Sequence, residues 1–104
     1  MTLYRLVFDD RAEKEFRKLG TAEQRQLQKK LRERLGNPHV AADRLSDMPD
    51  CYKIKLRAAG VRLIYLVEND VLVVLVLAIG RRDSSKRDVY EVGMKRLQTH
   101  HDRS

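Results

Sequence analysis

With 104 residues the chain has room for one hydrophobic core, so residues 1–104 read as a single domain. Lys and Arg number 22 against 15 Asp and Glu, a formal charge of +7, which favours a polyanionic partner, nucleic acid before membrane surface. One cysteine, Cys51, excludes an internal disulfide and fits a reducing compartment, and the longest apolar run, Val71 to Ile79, falls far short of the ~20 residues of a membrane-spanning helix.

Leu3 to Phe8, rich in Leu, Tyr, Val and Phe, reads as a first strand. The aspartates at 9 and 10 do not fit a signal peptide. They offer a helix cap instead, with Asp10 and Glu13 at capping-box spacing. Ala12, Phe16 and Leu19 mark the buried stripe of that helix, and Gly20 ends it. Thr21 and Gln24 repeat the box and open a second helix, with Leu27, Leu31 and Leu35 at four-residue spacing and a stop at Gly36-Asn37-Pro38. Two helices joined by a tight turn form an antiparallel pair over a sheet.

Residues 39–50 form a polar connection, and three strands follow at roughly 51–57, 61–68 and 71–79. Short turns at Ala59-Gly60 and Asn69-Asp70 make them an antiparallel meander, with the valine-rich third strand buried at its centre. A basic loop, Gly80 to Arg87, leads to a final helix from about Asp88, carrying Val89, Val92 and Leu97, and residues 98–104 are expected to form a frayed tail. The order is β-α-α-β-β-β-α, an α+β fold with an N-terminal strand and two antiparallel helices packed on a small antiparallel sheet.

The segment from Cys51 to Arg57 alternates strictly. Tyr52, Ile54 and Leu56 point one way; Lys53, Lys55 and Arg57 point the other. Like charges along one strand face repel, and no acid occurs between Cys51 and Val67 to pair them. Arg62 returns on the next strand, Arg81 and Arg82 close the third, and Tyr90 begins the last helix. The meander therefore gathers cations onto one surface, where phosphate is the usual counter-charge.

Other chemistry finds little support. His39 follows a helix-stopping proline, His100 and His101 lie near the C-terminus, and no HxxxH, CxxC or spaced carboxylate set is present. The glycines are isolated, without a phosphate-binding loop. The expectation is no metal and no cofactor, and a structural Cys51. A metal-free cationic site can still cut RNA, because the ribose 2′-OH is a nucleophile within the substrate. A lysine with its pKa depressed by neighbouring cations can take the proton, arginines can hold the phosphate oxygens, and a tyrosine can stack on a base.

Asp50-Cys51-Tyr52-Lys53-Ile54-Lys55-Leu56-Arg57, followed by Gly60-x-Arg62-Leu63-x-Tyr65, resembles the signature of the RelE toxins. The likeness extends through Asp-Arg-Ala and Arg-Lys-Leu-Gly in the first helix, Asn37-Pro38, and Gly80-x-Arg82. It covers most of residues 7–97. The resemblance implies a RelE-like microbial ribonuclease-type fold and a metal-free, ribosome-dependent endoribonuclease that cleaves mRNA in the ribosomal A site by 2′-OH attack. Lys53 and Lys55 match the family's active-site lysines, one of them the base. Arg62 matches the transition-state arginine, Arg82 the one that contacts phosphate or protonates the leaving group, and Tyr90 the tyrosine that stacks on the substrate base.

The loop between Arg82 and Tyr90 is longer than is usual in the family, so Tyr90 also reads as a helix-start tyrosine packing on the sheet. Tyr52 and Tyr65, by alternation, belong to the core. Arg57 and Arg81, with Lys29, Lys30, Arg32 and Arg34 on the second helix, are candidates for ribosomal RNA contacts. Implied partners are an acidic RelB-like antitoxin that wraps the toxin, the 70S ribosome with mRNA and rRNA, and operator DNA through the antitoxin complex. A cytoplasmic, membrane-free setting follows. The alternatives are a ParE-like gyrase inhibitor and an inert toxin serving only as co-repressor.

Overall fold

The computed structural model describes residues 3–81 and 88–103. In chain order these form β1 (Arg5–Phe8), α1 (Asp10–Arg17), α2 (Thr21–Gly36), a 3-10 turn (Ala41–Asp43), β2 (Cys51–Leu56), β3 (Val61–Glu68), β4 (Val73–Arg81) and α3 (Val89–Arg103). The four strands make one sheet in the order β1-β4-β3-β2. The meander β2-β3-β4 is antiparallel as expected, but β1 pairs with β4 in parallel, from Arg5 opposite Val73 to Phe8 opposite Val76. The sheet is therefore mixed rather than antiparallel. A strand's side-chain pattern carries no record of its partner's direction, and the α1–α2 crossover returns the chain at the far side of the sheet.

Of the two aspartates expected to cap α1, Asp9 does so by accepting the Arg11 N–H at 2.9 Å. Gly20 does not simply end α1, which stops at Arg17; it precedes α2, and Glu23 reaches back to accept its N–H at 3.0 Å. Gln24 then donates to the Phe16, Arg17 and Leu19 carbonyls, so one amide joins the end of α1 to the start of α2.

The run from Val71 to Ile79 is not all strand. Leu72 adopts φ 54, the turn spans residues 69–72, and Val71 and Leu72 stay 57% and 39% exposed. The Leu72 carbonyl accepts the Arg5 N–H at 2.8 Å and starts the pairing with β1. At the other end of the meander Gly60 takes φ 67, which only glycine adopts freely, and its N–H returns to the Arg57 carbonyl at 3.2 Å.

Alternation places two cores on the two sheet faces. Under α1 and α2 lie Ala12, Leu27 and Leu31 with Ile54, Leu63, Tyr65 and Val76. Under α3 lie Ile64, Leu66, Leu75, Leu77, Val89 and Leu97. A bulge intervenes: Ile64 opposes Ala78 but Tyr65 opposes Val76, so Leu77 has no partner on β3. Cys51 is fully buried, and burial pushes its thiol up to about 12, which leaves a structural side chain.

α3 continues to Arg103, through residues expected to fray, and His100 Nε2 lies 3.1 Å from Glu68 Oε1. The helix rests on β4 and β3. Beside it, on the same face, Lys53 and Lys55 of the edge strand stay half-buried.

Candidate active site

The strand register assembles the cations. Lys53 opposes Ile64, Lys55 opposes Arg62, and Arg62 in turn opposes Gly80 of β4. Directly opposed side chains on one face are near neighbours, so Lys55 and Arg62 stand side by side across the β2–β3 ladder. This repulsion bears on Lys55. Lys53 first, then Arg62, with desolvation and Arg57 adding, hold its ammonium below the usual lysine range.

Tyr90 reaches this row from α3. Its N–H is held by Asp88 Oδ1 at 2.9 Å, and the Asp88 carbonyl takes the Val92 N–H at 3.0 Å, which starts the helix. Two glycines let the helix approach. A Cβ on Gly80 would lie 3.1 Å from Val89 Cβ, and one on Gly93 would lie 3.4 Å from the Ile64 side chain. From there Tyr90 Oη accepts a hydrogen bond from Arg62 Nη1 at 3.2 Å, with the guanidinium carbon 5.8 Å from the ring centroid. The tyrosine is half-buried, and its polar partner is the central arginine of the site.

A cleft of about 180 Å³ opens at the end of the hairpin, lined by Lys55, Leu56, Arg57, Gly60, Val61 and Arg62. It shares Lys55, Leu56 and Arg57 with a groove of about 340 Å³ that passes round the β2 edge to Gln26 and Lys30 of α2. Lys55 and Arg57 thus border both, with Arg62 on the first and Lys30 on the second.

Not every predicted cation belongs to it. Lys53, Lys55, Arg62 and Tyr90 come together, Arg57 walls the cleft and Lys30 the groove. Lys29 and Arg32 are exposed on α2 but line neither. Arg34 is turned inward, a correction to its reading as an RNA contact. It donates to Asp43 Oδ2 at 2.6 Å, Tyr65 Oη at 2.9 Å and the Lys53 carbonyl at 3.4 Å. Arg34 follows Leu27 and Leu31 at helical spacing, and that periodicity alone assigns it to the buried stripe. Arg81 is likewise engaged, forking onto Glu23 at 2.8 and 3.0 Å, so it braces α2 against the sheet. Arg82 lies outside the described residues. Gln26, which no sequence signal marked, lines the groove.

Tyr52 and Tyr65 are core, 6% and 0% exposed, with Tyr65 Oη donating to the Pro38 carbonyl at 2.7 Å. Among the described residues no group of three or more His, Cys, Asp or Glu is placed to hold a metal ion. Nor is any helix among them long and apolar enough to cross a membrane. His39 is occupied by Tyr52 Oη at 3.0 Å and Asn69 Oδ1 at 2.8 Å. The arrangement supplies a lysine biased toward neutrality, a fixed guanidinium beside it, and an aromatic ring at the rim. These suit proton removal and charge stabilisation on a phosphate ester.

Residues 6–85 match the family described as the ParE toxin of type II toxin-antitoxin system, parDE. The chain is 50% identical over 94 residues to the mRNA interferase toxin RelE of Escherichia coli (strain K12), spanning 90% of this chain and 97% of that protein. A putative RelE-like toxin protein of Escherichia coli is 43% identical over 95 residues, covering 91% and 98%. Among solved structures, a double mutant of E. coli toxin RelE in the free state superposes with a TM-score of 0.82 at 48% identity, covering 91% of this chain and 98% of that one. The toxin in the intact E. coli RelBE toxin–antitoxin complex gives 0.74 at 52% identity, covering 75% and 95%.

Proposed function

The chain belongs to the RelE/ParE family of type II toxins, close to RelE itself, and from that premise we propose that it is a ribosome-dependent, metal-free mRNA interferase. Its substrate is the mRNA codon in the ribosomal A site. The observation that carries this reading is the triple juxtaposition of Lys55, Arg62 and Tyr90 from two strands and a helix.

Lys55 is the proposed base. Its depressed pKa raises the neutral fraction able to take the 2′-OH proton. The freed 2′ oxygen attacks the adjacent phosphorus and the bond to the 5′ oxygen of the next nucleotide breaks, leaving a cyclic 2′,3′-phosphate. Arg62, with permanent charge and a planar fork, stabilises the extra negative charge on the phosphorane oxygens. Arg82 is assigned the leaving-group side, and Tyr90 stacks on the substrate base with its hydroxyl tied to Arg62. Lys53 is the largest cause that lowers the Lys55 pKa. Arg57 and Lys30, which line the same groove, hold neighbouring backbone phosphates, with Lys29 and Arg32 exposed to meet rRNA. These groups are weak acid–base catalysts, so positioning of the codon by the ribosome supplies much of the rate.

The partner that silences it is an acidic RelB-like antitoxin, a polypeptide that folds on binding and covers the +7 surface. Operator DNA is met through that complex, in the cytoplasm. The ParE description of the matched family favours a second reading, a gyrase inhibitor. Retention of Lys53, Lys55 and Arg62, which gyrase poisoning does not require, argues for the first. An inert co-repressor is the third outcome.

Primer extension on translating ribosomes, with the same mRNA naked as control, tests the reading. Cuts within the A-site codon, on ribosomes alone and surviving EDTA while the ribosomes stay intact, are expected. Uncut mRNA on programmed ribosomes overturns it, and a gyrase supercoiling assay then separates the second and third readings.

A further inference from the structure

β1 pairs with β4 only as far as Phe8 opposite Val76, and the Asp9 N–H adds a last bond to the Val76 carbonyl at 2.9 Å. β4 runs on to Arg81 with β3 on one side and, among the described residues, no strand on the other. Two side chains act as the missing strand. Glu15 Oε1 from α1 accepts the Ile79 N–H at 3.0 Å, and Arg96 Nη1 from α3 donates to the Leu77 carbonyl at 2.8 Å. They also bind each other through parallel bonds of 2.9 and 3.0 Å, with side chains only 12% and 7% exposed. The fork closes on the bulge, where Leu77 lacks a β3 partner.

We infer that the Glu15–Arg96 pair is a positioning device for the reaction centre: it sets where α3 lies along the sheet, and so whether Tyr90 meets Arg62. The inference rests on the reading of Arg62 and Tyr90 given above. Neither Glu15 nor Arg96 lines the cleft, so both act through other residues.

The physical reason lies in what else holds α3. Val89 sits on Gly80, Gly93 on Ile64, and Leu97 in the apolar layer. Such contacts set how closely the helix approaches but are non-directional. The His100–Glu68 contact is about one-third exposed at each partner and restrains less. Arg96 makes directional, charge-assisted bonds to a carboxylate and a backbone carbonyl, which are satisfied at one register alone. Tyr90 lies six residues earlier, about 9 Å along a rigid helix, so a shift at Arg96 is carried to it. The other half of the contact is tied to the same pair. Glu15 holds Ile79, the neighbour of Gly80, and Gly80 is the residue opposite Arg62. A buried ion pair stabilises no more than apolar packing of the same volume, but it does fix geometry.

The test combines nuclear Overhauser contacts with a double-mutant cycle. In the wild-type chain, contacts between the Arg62 side chain and the Tyr90 ring are expected. In Arg96→Met, which keeps the apolar stem, they should vanish while those across β2 and β3 persist. On programmed ribosomes Arg96→Met should lower kcat on the order of 10- to 100-fold with KM nearly unchanged, the scale of a reacting group displaced by about 1 Å. In a Tyr90→Ala background the same substitution should cost at most about twofold, because the ring it positions is already absent. Arg96→Lys, which retains charge but not the fork, should be intermediate and serves if Arg96→Met fails to fold. Persistent Arg62–Tyr90 contacts in the folded variants overturn the inference, as does an equal loss in both backgrounds. If the wild-type chain itself does not cut, the functional reading fails, and the Overhauser contacts still decide the positioning.

Discussion

The two faces of the sheet are built from the same four strands and do opposite things. One is sealed by α1 and α2, and its polar groups are used internally: Tyr65 donates to the Pro38 carbonyl and receives Arg34, which also holds Asp43. The other is covered by α3 over β4 and β3 alone, and where the cover stops, Lys55 and Arg62 face each other without an acid between them. The difference teaches that the site is a gap in the packing. One helix is too narrow to cover the sheet, and the uncovered corner carries the charges that packing would forbid.

Substitutions on the two faces should therefore separate stability from chemistry. The largest effect is expected from Arg62→Ala, which should lower kcat/KM on programmed ribosomes about 10²–10³-fold, as for loss of one preorganised charge stabiliser. Its thermal midpoint should hold or rise, since a repelled cation is removed; an unfolded variant would show that the open face also carries structure. Leu31→Ala on the sealed face should do the reverse. It should cost about 2–5 kcal/mol in urea unfolding, while cutting per folded molecule stays unchanged.

Tyr65→Phe sharpens the contrast more gently. It strips the Pro38 carbonyl and Arg34 of one buried partner each, a cost of about 1–3 kcal/mol, again without a change in cutting. A fall in activity larger than the fall in folded fraction would mean that the two faces communicate.

The smallest effect concerns protons. Because the folded chain disfavours charged Lys55, the unfolded chain holds more protons between the lowered pKa and the ordinary value of 10.5. Stability should rise with pH across that window. The cutting rate should climb with pH and level off below 10.5. Lys53→Met removes the largest cause, so the plateau should move upward and the Lys55 side-chain resonance, followed by NMR, should titrate later. An unmoved resonance would break the assignment of Lys53 as the neighbour that most lowers the pKa of the base.

Much of this was legible in the residues. The alternation from Cys51 to Arg57 specifies which side chains are buried and which are presented, because a strand has a period of two whatever it pairs with. Leu27, Leu31 and Leu35 specify the buried stripe of α2 in the same way, and the motif around Lys53, Lys55 and Arg62 carries the family. Partnership was not legible. Helical spacing from Leu27 and Leu31 marks Arg34 as inward, but nothing in the sequence shows that it meets Asp43 or that Arg81 meets Glu23.

The sequence by itself determined periodicity and charge: three meander strands, two early helices, a late one, and a row of cations with no acid nearby in the chain. Those are local properties, set by side-chain direction and by residues adjacent in sequence. Tertiary structure alone decided that β1 joins β4 in parallel, that α3 lands close enough for Tyr90 to touch Arg62, and that Glu15 and Arg96 replace a missing strand. Each of these depends on groups far apart in the chain, up to 81 residues for Glu15 and Arg96. Their encounter is fixed by how the layers pack, which no local pattern records.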